Sequence, residues 1–189
     1  LRPVLFDDRD QVVEASAVRL AQHYLSHGFG AEAQFWLSRI AVPLDDLEAL
    51  AGLIAGDGST PYHDVMDTTA CSDEEFLLRF LGGAVAPPGT PDEINRLQRG
   101  FASLPAALQD LFGPDLARRL ASHGHLAAAR NIRDALPRAG RLARATLVAL
   151  DLEIGVDIDA EQARQTLDMA LRDDGASPAP AMAQALALD

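Results

Sequence analysis

The chain is 189 residues long with a net charge of −12, 48% hydrophobic and only 5% aromatic residues. An Ala- and Leu-rich composition of this length favours helices that bury a core without a disulfide or metal staple, and Val, Ile, Tyr and Phe are too sparse for a sheet-rich fold. All 16 basic residues are Arg, which excludes a phosphate-loop lysine or a Schiff-base lysine and suggests a GC-rich bacterial genome. The single Cys71 excludes an internal disulfide and a paired-cysteine metal site.

In chain order, the first helix is expected from Asp10, with Val12, Val13, Ala17, Leu20, Ala21, Tyr24 and Leu25 on one stripe. Gly28 and Gly30 end it. A second helix over residues 31–41 carries Phe35, Trp36, Leu37 and Ile40 as its apolar positions, and Pro43 precedes a third over 44–55, closed by Gly56-Asp57-Gly58. Thr60-Pro61 reads as a cap with a first-turn proline, and Ser72-Asp73-Glu74-Glu75 as a capping box. Residues 82–91, rich in Gly and Pro, form the strongest break. Further helices are expected over 92–103, 105–112, 114–122, 126–136, 138–152 and 159–172. Residues 173–189 read as a loosely ordered tail or short helix. The expectation is one all-α domain over 1–172.

A thirteen-residue pattern occurs twice, from Leu20 to Glu32 and from Leu116 to Ala128, at a constant offset of 96 residues. Leu20 and Leu116, Ala21 and Ala117, and the triplets Ser26-His27-Gly28 and Ser122-His123-Gly124 coincide; Ala33 and Ala129 extend the match. Self-similarity at a fixed spacing signals a repeat architecture. The first copy, Ala17-x2-Leu20-Ala21-x2-Tyr24, Gly28 and Ala33-x3-Leu37, resembles the tetratricopeptide repeat. A degenerate copy starts at Leu47-x2-Leu50-Ala51-x2-Ile54, and a clearer one at Leu116-Ala117-x2-Leu120 with Gly124 and Ala129. The resemblance implies helix-turn-helix repeats stacked as an α-solenoid; a compact helical bundle is the alternative. It assigns structural roles to Leu20, Ala21, Tyr24, Gly28, Ala33, Leu116, Ala117, Gly124 and Ala129.

The charge is uneven. Residues 1–93 hold 5 Arg and 16 acids, 94–150 hold 9 Arg and 3 acids, and 151–189 hold 2 Arg and 9 acids. Acidic flanks disfavour nucleic acid, and no window holds the roughly twenty apolar residues that cross a bilayer. The basic centre contains Arg118, Arg119, Arg130, Arg133, Arg138, Arg141 and Arg144. Guanidinium groups suit carboxylates, so the expected partner-binding residues are Arg118, Arg119, Arg130, Arg133, Arg141 and Arg144, and the ligand an acidic protein segment. Internal pairing with the chain's own acids is the competing role.

Other constellations point less clearly to chemistry. His23 and His27 stand at metal-binding spacing, without the Glu of an H-E-x-x-H site or a third ligand, and their place before a turn glycine suits helix ending. His123 and His125 flank Gly124. Ser59, His63, Asp64 and Cys71 include hydrolase residue types, but no G-x-S-x-G elbow holds them. The expected function is a non-enzymatic bacterial protein-interaction or scaffold module without a cofactor. The alternative is a helical accessory domain of an enzyme whose catalytic part lies elsewhere. A start at Leu1 fits a processed product and favours the periplasm over the cytoplasm.

Overall fold

The computed structural model describes residues 5–56, 72–139, 144–155, 161, 164, 165, 168 and 169. Among the described residues the named elements are all helices: α1 (Glu14–Ser26), α2 (Gly30–Leu37), α3 (Asp45–Ala55), α4 (Asp73–Leu81), α5 (Pro91–Ser103), α6 (Ala106–Ser122), α7 (Leu126–Ala139) and α8 (Arg144–Glu153). The all-α expectation holds. The chain falls into two compact units, Leu1–Leu111 and Phe112–Asp189.

In the first unit, α2 packs against both α1 and α3. Its buried face is Gly30, Ala33 and Leu37, meeting Ala17, Ala21 and Leu25 of α1 and Ala49, Ala51, Gly52 and Ile54 of α3 in a common core. Small residues let these backbones approach closely. A Cβ on Gly30 would stand 2.4 Å from the Ala55 nitrogen and 2.5 Å from the Ala51 carbonyl oxygen, so only glycine fits. The helices α4 and α5 of this unit pack on each other, burying Phe76, Leu77, Phe80 and Leu81 of one and Leu97 and Phe101 of the other. Gly100 serves there as Gly30 does above, for its Cβ would lie 2.3 Å from the Asp73 carbonyl oxygen.

The break at 82–91 is built from two helix ends inside this unit. Gly83 takes φ +77° and the Ala84 N–H reaches back to the Arg79 carbonyl. Thr90 then caps α5 in a full capping box with Glu93, and Pro91 opens the helix. Ser72 caps α4, accepting from the Glu75 N–H at 3.1 Å.

Two local expectations are corrected. Asp10 does not start α1. The Asp7 carboxylate accepts the N–H groups of Arg9 and Gln11 at 2.8 and 2.9 Å, and Phe6 bridges Val12 antiparallel. That turn places Asp10 at φ +57° and delays the helix to Glu14. The segments 105–112 and 114–122 are one helix, α6, with Pro114 inside it. The proline removes the bond that its N–H would have made to the Asp110 carbonyl. Burial of Phe112, Leu116, Ala117 and Leu120 around it keeps the helix running.

The second unit buries Phe112, Leu116, Ala117 and Leu120 of α6, Ala128, Ala129, Ile132 and Leu136 of α7, and Ala149, Leu150 and Ile154 in and after α8. Here α7 reaches Ala139, beyond the expected end at 136, and α8 starts at Arg144. Of the helix expected over 159–172, Glu161, Arg164, Gln165, Asp168 and Met169 are described and helical. Residues 173–189 lie outside the described residues.

Candidate interaction surface

The repeated Ser-His-Gly triplet folds the same way twice. Gly28 has φ +81° and Gly124 φ +84°. The Gly28 N–H donates to Leu25 O at 3.1 Å and the Phe29 N–H to Tyr24 O at 3.0 Å; the Gly124 N–H donates to Ala121 O at 2.9 Å and the His125 N–H to Leu120 O at 2.9 Å. This pair of bonds around a left-handed glycine is the Schellman helix ending, and it satisfies two terminal carbonyls. The side chains repeat as well. Ser26 Oγ donates to His23 O and Ser122 Oγ to Arg119 O, both at 2.8 Å. His27 Nδ1 lies 2.9 Å from the same His23 oxygen, and His123 Nδ1 2.7 Å from Arg119 O. A carbonyl only accepts, so Nδ1 carries the proton in both rings.

Around these turns Ala21 and Ala33 in one hairpin, and Ala117 and Ala129 in the other, are fully buried. Tyr24 packs edge-on against Phe29, with ring centroids 6.3 Å apart, which supplies the apolar contact typical of this ending. Leu116 is fully buried, whereas Leu20 is only half-buried. In the degenerate copy at Leu47, α3 ends on Gly56 at φ +69°, and the residues that follow, 57–71, lie outside the described residues.

The described arginines of the basic strip pair with groups of the second unit itself. Arg133 of α7 grips both carboxylate oxygens of Asp151 on α8 and reaches Asp134 at 2.9 Å. The Asp151 side chain is 4% exposed and that of Arg133 27%, so a buried carboxylate meets a half-buried guanidinium. Arg118 of α6 pairs with Glu153 of α8, and Arg130 donates to the Gly155 carbonyl at 3.2 Å. These three guanidiniums from two helices collect at the C-terminal end of α8, where its dipole favours positive charge. Arg119 pairs with Asp115 one turn earlier at 2.8 Å. Arg141 and the side chains of Arg138 and Arg144 lie outside the described residues.

No family model, curated protein or solved structure matches this chain.

His23 and His27 do come together, with ring centroids 4.3 Å apart. The carbonyl contact at His27 Nδ1 leaves that ring only Nε2 as a possible ligand atom, and both rings are exposed. Among the described residues no three His, Cys, Asp or Glu side chains gather as a metal site. Ser59, His63, Asp64 and Cys71 lie outside the described residues.

Two clusters were not anticipated from sequence. Asp73 at the start of α4 is held by Arg99 at 2.6 Å and Arg96 at 3.2 Å, and Arg96 also lies over the Phe76 ring. The Arg99 hydrogen bond, foremost, lowers the Asp73 carboxyl below its ordinary value. Glu93 is lowered too, by the Gly89 N–H and then by Thr90. The second cluster is Phe35, Trp36 and Arg39 on the outer side of α2. Phe35 and Trp36 were counted as apolar helix positions, yet Phe35 is 50% exposed. Its signal was readable: Ala33, Phe35, Trp36, Leu37 and Ile40 are too many apolar residues for one stripe of a short helix.

Proposed function

We propose that this chain is a non-enzymatic helical-hairpin module that binds another protein, in the manner of a divergent tetratricopeptide-like stack. One observation carries the reading: two hairpins, α1–α2 and α6–α7, share the same turn hydrogen bonds and the same buried alanines at one sequence offset. Stacked helical hairpins create extended surfaces suited to partner binding. The uneven charge supports an acidic ligand at the arginine strip, but such a ligand would have to displace Glu153 and Asp151 from Arg118 and Arg133. The partner class proposed is therefore a protein or peptide, without restriction to an acidic one. The test is capture of a partner from an extract of the source cells by the immobilised chain. A discrete protein, bound saturably and competed by free chain, is expected. Absence of any saturable partner over a range of salt concentrations would overturn the reading.

A further inference from the structure

The outer stripe of α2 leaves a large apolar side chain, Phe35, open to water. Gly30, Ala33 and Leu37 face the core, so Ala31, Glu32, Phe35, Ser38 and Arg39 face water. Phe35 stays 50% exposed although the Arg39 guanidinium lies 3.3 Å from its ring centroid. Trp36 meets Phe35 edge-on, with ring centroids 5.2 Å apart. The chain then exposes Val42 to 67%, and Pro43, Leu44, Asp45, Asp46 and Leu47 line a surface cavity of about 300 Å³. The Ala41 N–H is tied to Glu14 Oε1 at 2.9 Å, which holds this connection against the start of α1. Single exposed apolar residues are ordinary. Rings already clamped by an arginine are different, because a partner can dock on them without first ordering them. Aromatic and arginine side chains are also the commonest binding anchors.

Charge decides what would dock. Residues 5–56 carry eight carboxylates against Arg9, Arg19 and Arg39. Glu32 lies on the Phe35 stripe itself, and Asp45, Asp46 and Glu48 open α3 beside the cavity. We propose that the face from Phe35 to Leu47 receives a cationic, apolar segment of a partner protein. Its apolar side chains lie on Phe35, Trp36, Val42 and the cavity, while its Lys or Arg heads meet Glu32, Asp45 and Asp46. This rests on the reading of the chain as a binding module and adds the surface and the chemistry of its partner.

The experiment titrates the isotope-labelled full chain with a synthetic amphipathic Lys/Leu peptide, using a Glu/Leu peptide of equal length as the control. Amide shift changes are expected to concentrate in residues 31–48, with no binding of the acidic peptide. Phe35→Ser and Val42→Ser, both at exposed positions, should each weaken binding about tenfold, the loss of one anchor worth near 1.4 kcal/mol. Removing two carboxylates elsewhere, with Asp8→Asn and Asp92→Asn, should leave affinity within twofold. Shifts spread over the acids of both units, or equal binding of both peptides, would overturn the proposal. So would shifts at 31–48 that depend on chain concentration alone, since a second copy would then be the occupant. If Phe35→Ser still captures the cellular partner undiminished, this surface fails while the binding module stands; if the unaltered chain captures nothing, the module itself fails.

Discussion

The α1–α2 and α6–α7 hairpins begin identically and end differently. At the turn the same four contacts recur, because glycine at positive φ, the N–H that follows it, a short hydroxyl and an imidazole act on carbonyls within five residues. Two turns further along, the equivalent positions part. Leu37 is buried in the apolar layer between α1 and α3, whereas Arg133, 96 residues later, grips the buried carboxylate of Asp151. Gly30 is squeezed against the α3 backbone, while its counterpart Leu126 is 45% exposed. A local motif thus fixes a local turn, and the element packed on the second helix decides how that helix is finished.

The largest effect should come from making the second hairpin copy the first. Arg133→Leu leaves the buried Asp151 without its cation and should cost about 3 kcal/mol, the low end for loss of one partner of a buried pair, because the guanidinium side is 27% exposed. Adding Asp151→Leu should recover most of that loss, since an apolar pair of similar volume replaces a buried ion pair at little cost. Urea denaturation of the single and double variants measures both. Equal instability of the two would show that the guanidinium has a role beyond its carboxylate.

The glycine contrast should be next in size. Gly30→Ala forces a methyl into backbone at 2.4 Å, and overpacking of this kind costs about 2–3 kcal/mol. Leu126→Ala, at the equivalent exposed position, should stay within about 0.5 kcal/mol. Thermal unfolding of the pair gives the difference, and similar losses would erase the distinction between the two hairpins.

Where the hairpins agree, substitutions should agree. Gly28→Ala and Gly124→Ala each place a Cβ at positive φ and should each cost about 1–2 kcal/mol. Neither position is crowded, the nearest atom at Gly28 being 3.9 Å away. Backbone conformation is then the whole effect, and the two losses should match within about 0.5 kcal/mol. A large inequality would mean that one turn is held mainly by its surroundings.

The smallest expected effect lies in the α4–α5 pair. Asp73 and Glu93 have folded-state pKa values below their ordinary 3.8 and 4.5. A lowered carboxyl stabilises fully above its unfolded pKa and loses that contribution as pH falls through the folded value. Stability should therefore decline below about pH 4.5, and Glu93→Gln should flatten that decline slightly. An unchanged acid limb in a denaturation series would remove Glu93 from this role.

The sequence made the turns legible because their chemistry is short-range. Gly28 and Gly124, Ala21, Ala33, Ala117 and Ala129, and the cap at Ser72 all follow from residues within about one helical turn or from a repeated pattern. The start of α1 was misjudged because Asp7, three residues before the expected cap, captured the backbone N–H groups of Arg9 and Gln11. Pro114 looked like a stop because the burial that outweighs its missing hydrogen bond is tertiary. The arginine strip was visible as charge, but the partners of Arg118 and Arg133 stand 35 and 18 residues away, and no local rule connects them. Phe35 reads from sequence only as an apolar position of its helix, because helical periodicity does not say which of two apolar stripes is covered.

Superposition of residues 17–41 on 113–137 in a crystal structure tests most directly whether one hairpin device is used twice. The account predicts that both glycines keep positive φ, that all four Schellman hydrogen bonds are present, and that the two helix pairs cross at similar angles with the buried alanines at the contact. Two hairpins with unrelated crossing geometry, or a turn at Gly124 lacking the bonds to Leu120 and Ala121, would contradict it.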